Sequence, residues 1–75
     1  MSRYCFRAEC IHDVLSFLAV VAESTRIPDC RIRQDAQFPD CEVEFLSQCS
    51  IEELKLIAEG VVDLHVISES LKRKT

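Results

Sequence analysis

Residues 3–9, Arg-Tyr-Cys-Phe-Arg-Ala-Glu, alternate along the chain. Tyr4, Phe6 and Ala8 fall on one face, and Cys5, Arg7 and Glu9 on the other. Period two with aromatic residues predicts a strand. The period then changes. Ile11, Val14, Leu18 and Val21 recur at helical spacing with Leu15 and Ala22 alongside, which predicts a helix over 11–24 with that stripe inward. Ser24-Thr25-Arg26 ahead of Pro28 supplies its stop. Alternation returns at 30–35 and 41–46, joined by the turn-like Ala36-Gln37-Phe38-Pro39-Asp40, so an antiparallel hairpin is expected. Ser50-Ile51-Glu52-Glu53 reads as a capping box that starts a second helix at Ser50.

The last third supports two readings. Gly60 suits a helix C-cap, and Val61-Val62-Asp63-Leu64-His65-Val66-Ile67 is rich in β-branched residues. This predicts a helix over 51–59 and a fourth strand over 61–68. The alternative is β-α-β-β-α, with Leu54, Ile57, Val61, Leu64 and Leu71 threaded onto one long C-terminal helix. The first reading gives the order β-α-β-β-α-β, a two-layer α+β sandwich of ferredoxin-like type with antiparallel sheet order 4-1-3-2. In it Tyr4, Phe6, Ile32, Val43, Phe45, Leu64 and Val66 lie under the helices. The open face carries Asp63 and His65, then Arg7 and Glu9, then Glu42 and Glu44, then Arg31 and Arg33. Opposite charges then meet across strands, which favours this order.

Seventy-five residues make one small domain, 1–75, too thin for a large enclosed cavity. With 13 acids against 9 bases, the net charge of −4 disfavours direct binding to nucleic acid or an anionic membrane. No apolar run spans a bilayer and no secretory leader is visible at Met1-Ser2-Arg3-Tyr4, so a cytoplasmic protein is expected. Cysteines at 5, 10, 30, 41 and 49 are odd in number and irregular in spacing, which reads as reduced thiols.

Chemistry-bearing groups are sparse. His65 with Asp63 forms a candidate acid/base pair, although an open sheet face offers little desolvation. Cys5, Cys10 and His12, with Cys49, approximate a metal cluster, but C-x₄-C-x-H departs from the close pairs of structural zinc. A single glycine excludes phosphate-binding loops and nucleophile elbows. No enzyme and no cofactor are therefore expected.

The remaining asset is surface. Phe17 and Val20 on the first helix and Leu56 on the second are placed outward, as one apolar patch for a partner. The expected function is a small non-catalytic protein-interaction module that binds another protein, or itself as a homodimer. One alternative is an acidic inhibitor that uses Glu52, Glu53, Glu59 and Glu69 against a basic, nucleic-acid-binding surface of a target protein. A further alternative is a Cys/His metal-binding protein.

Overall fold

A computed structural model describes residues 1–34 and 40–74. It is a small α+β fold, a four-stranded antiparallel sheet with three helices. Strand β1 spans Ser2–Ala8, helix α1 Ile11–Ser24, β2 Cys30–Gln34 and β3 Cys41–Ser47. Then come α2 (Ile51–Leu56), a wide π-helical turn (Ile57–Val61), α3 (His65–Ser70) and β4 (Lys72–Arg73). Apart from Asp40, the connection expected at 36–40 lies outside the described residues.

The strands run in the order β2-β3-β1-β4, which is 4-1-3-2 read from the other edge. Their registers set Tyr4 opposite Phe45, Phe6 opposite Val43 and Ala8 opposite Cys41. All six are buried, so the alternation in β1 and β3 places one whole face in the core. The rings of Phe6 and Phe45 meet edge to face at 5.9 Å. The phenol of Tyr4 donates a 2.7 Å hydrogen bond to the carbonyl of Cys49, so its one polar atom is satisfied inside.

Helix α1 ends as expected: Thr25 turns extended, and its N–H still bonds to the carbonyl of Val21. Its inward stripe is corrected, however. Val14, Phe17 and Val21 are buried, whereas Ile11 and Leu15 are exposed. Phe17 is 0% exposed and packs edge to face on Phe6 at 5.1 Å. This helix is apolar around most of its girth, so several rotations bury comparable area; the one found buries the largest ring against two others.

The segment after Gly60 is the second correction. It forms neither a strand at 61–68 nor one continuous helix. Ser50 caps α2 as expected, accepting from the Glu53 N–H at 3.2 Å, and its hydroxyl lies 3.3 Å from the Glu53 carboxylate. Gly60 does not end that helix, because it has no positive φ. The chain widens into the π-helical turn, where the N–H of Val62 reaches the carbonyl of Ile57 and that of Leu64 the carbonyl of Ala58. Asp63 then takes a left-handed φ of 53° and reverses the chain into α3. Ile67 and Leu71, four apart, enter the core, and this burial outweighs the β preference of the valines. The Ser70 hydroxyl accepts from the Arg7 N–H at 2.9 Å and ties the end of α3 to β1. The fourth place in the sheet is thus filled by Lys72–Arg73, paired with Cys5 and Tyr4.

Candidate functional site

One flank of the molecule is unfinished. Helix α1 packs on β1, β3 and the 57–61 turn, while β2 packs chiefly on β3. Every residue of β2 is exposed. Cys30, Ile32 and Gln34 lie opposite buried Phe45, Val43 and Cys41, so they occupy the helix-side face, yet all three remain exposed. Ile32, expected under the helices, is 41% exposed.

The wall beside this strip comes from α1. Residues on a helix advance by about 100° each. Asp13 shares a shallow cleft with Asp63, Leu64 and His65, so its side of α1 faces the α3 layer. Across the buried stripe from Asp13, the other flank carries Leu18, Ile11, Ala22 and Leu15 in angular order, and it therefore looks toward β2. Leu15 is 52% exposed and Ile11 37%. Leu15 and Ile11 on α1 and Ile32 on β2 are thus exposed apolar residues on one flank, to either side of the α1–β2 groove, and among the described residues no strand pairs with the outer edge of β2.

The other face of β2 is cationic. Arg31 stands opposite Glu44 and Arg33 opposite Glu42 in register. Among the described residues, neither arginine forms an ion pair. Glu44 is bound instead from the far side, by Arg3 at 3.2 Å and by Lys74. The Lys74 ammonium hydrogen-bonded to it, with Arg3 beside, holds the Glu44 carboxyl below the usual carboxylate range. Asp63 and His65, expected on this open face, lie instead at the start of α3. On the open face the fourth strand brings Lys72 beside Cys5, so bases flank the two glutamates on both sides.

The other predicted site residues are scattered. Phe17, Val20 and Leu56 do not form one surface patch, because Phe17 is core, Val20 is half-buried and only Leu56 stands out, at 68% exposed. Asp63, in the turn before α3, and His65, the first residue of α3, pair at 3.2 Å with both side chains open to solvent. Cys5 and Cys10 are half-buried, Cys49 is buried and His12 is exposed. Among the described residues, no three or more His, Cys, Asp or Glu side chains are arranged to hold a metal ion. All five cysteines are free. Partial desolvation, with the Asp29 carboxylate beside it, raises the Cys30 thiol above its ordinary range and keeps it protonated at neutral pH. No described helix is long and apolar enough to cross a membrane.

The known protein families, curated proteins and solved structures compared with this chain yield no match.

Proposed function

We propose that this protein is a small non-catalytic interaction module that binds another protein through the groove between α1 and β2. One observation carries the reading: all five residues of an edge strand are exposed, and so are Leu15 and Ile11 on the flank of α1 turned toward it. Exposed apolar residues gathered on one flank of a small domain favour a partner site there. Covering what remains exposed of Leu15, Ile11 and Ile32 contributes about 2–4 kcal/mol before association costs. The fold we read as a ferredoxin-like arrangement with its second helical segment broken in two. Its element order and antiparallel pairing support that reading, and so does the crossover of α1 between β1 and β2.

A second surface supports the alternative of an acidic inhibitor. Leu56, Val61 and Val66 are more than half exposed on the helical layer that also carries Glu52, Glu53, Glu59 and Glu69. Site-specific photo-crosslinking in the native cell separates the two. A crosslinker at Leu15 or Ile32 should give a protein adduct, and one at Lys55 or Glu52 should not. Adducts confined to the α2 positions overturn the groove in favour of the acidic surface. No adduct at any of the four positions overturns the interaction reading itself.

A further inference from the structure

We infer that the free edge of β2 receives an extended segment of the partner in which apolar and acidic residues alternate, adding a fifth strand to the sheet. This rests on the interaction-module reading above and names the chemistry of its partner. Alternate residues of an edge strand turn their N–H and C=O groups outward, and these are a template for another strand.

The two faces of β2 then state what that strand must carry. Side chains on its helix side lie beside Ile32, which is 41% exposed, so an apolar group there is favoured because it covers that residue. Side chains on its open side meet Arg31 and Arg33, which lack ion pairs among the described residues, so acids are favoured. The fold already contains such a neighbour. On its paired edge β2 lies against Glu42-Val43-Glu44, with the acids opposite the arginines and the valine opposite Ile32. The incoming strand repeats that pattern on the unpaired edge.

The same arginines disfavour a second copy of this chain in the registers that overlap the two strands most fully. In an antiparallel pair of two β2 strands centred on Ile32, Arg31 of each copy faces Arg33 of the other. Centring on Arg31 or Arg33 sets that arginine against itself. Like charges directly opposite destabilise a pair. Edge charges commonly serve to block such self-pairing. Here they disfavour it while leaving an acidic strand welcome, a form of selectivity built from repulsion as much as from attraction.

The test uses the full chain, isotope-labelled for NMR, and two synthetic peptides. One alternates glutamate and valine; the other alternates lysine and valine. The glutamate peptide should shift the backbone amides of Arg31, Ile32 and Arg33 and the methyl groups of Ile32. The lysine peptide should bind at least tenfold more weakly. An Arg31→Gln/Arg33→Gln variant keeps exposed polar side chains on β2, so the strand should remain folded. It should bind the glutamate peptide about fivefold more weakly and lose the difference between the two peptides. Equal binding of both peptides, shifts confined to other elements, or no binding at all overturns the acidic-strand proposal. So does a dimer in sedimentation that Ile32→Glu abolishes, which makes the occupant a second copy. Failure of the peptides leaves crosslinks at Leu15 and Ile32 standing, whereas absent crosslinks overturn the underlying reading.

Discussion

Phe17 decides between two descriptions of α1, so its replacement is the most informative stability experiment. The ring is 0% exposed and lies 5.1 Å from Phe6 and 6.3 Å from Phe45, edge to face with both. Truncation to alanine loses the burial of the ring, leaves a cavity and breaks both aromatic contacts. Core Phe→Ala changes cost about 3–5 kcal/mol, within which each aromatic contact accounts for about 0.5–1.5 kcal/mol. A chain of this length has about 4–11 kcal/mol of stability in total. Phe17→Ala should therefore remove from about a quarter to all of it. In urea, with a slope near 1 kcal/mol/M, the midpoint should fall by about 3 M, or the protein should be unfolded before denaturant is added. Far-UV circular dichroism follows the helices, and the single tyrosine, Tyr4, reports the core through its bond to Cys49. Leu56→Ala is the internal control: at 68% exposure it should change stability by less than about 0.5 kcal/mol. A Phe17→Ala cost below about 1 kcal/mol would refute the packing described here and return Phe17 to the surface.

Gly60 sits in a helical turn without positive φ, and a Cβ added there meets nothing within 4 Å, so Gly60→Ala should raise stability by about 0.4–1 kcal/mol in the same urea assay. Asp63 holds a left-handed φ of 53° without being glycine, and its pairing with His65 is solvent-exposed; Asp63→Gly should be neutral or stabilising by up to about 1 kcal/mol, and Asp63→Val destabilising. Glu44 titrates below its ordinary value, first through its hydrogen bond from Lys74, so its contribution is present above the unfolded carboxyl's pKa and lost as pH falls through the folded one. Glu44→Gln should accordingly shrink the drop in melting temperature between pH 7 and pH 3.

Much of the sheet was legible because period two admits one reading. Tyr4, Phe6 and Ala8 alternate with polar neighbours, Val43 and Phe45 do the same, and those faces are buried as the alternation requires. The rotation of α1 was not legible. Ile11, Val14, Leu15, Phe17, Leu18, Val20 and Val21 surround most of its circumference, so periodicity identifies the helix without fixing its buried side. That ambiguity concealed the groove, since Leu15 and Ile11 were assigned inward and Phe17 outward. The segment 61–71 misled for another reason. A run of β-branched residues favours a strand locally, while Ile67 and Leu71 gain more by entering the core from α3. The device that permits this, a left-handed Asp63, has no strong local signature. The exposed inner face of β2 depends on how far α1 reaches across the sheet, a tertiary quantity that alternation in Cys30–Gln34 does not encode.

The central claim is that the groove between α1 and β2 is the working surface. The most direct measurement follows the double variant Leu15→Glu/Ile32→Glu, with a photo-crosslinker at Ala22 on the same flank of α1. Both replaced side chains are already about half exposed, so the variant should melt close to the parent. It should lose the crosslinked complex, because two charges now stand where apolar groups must be covered. A variant that stays folded and crosslinks to its partner undiminished would contradict the account.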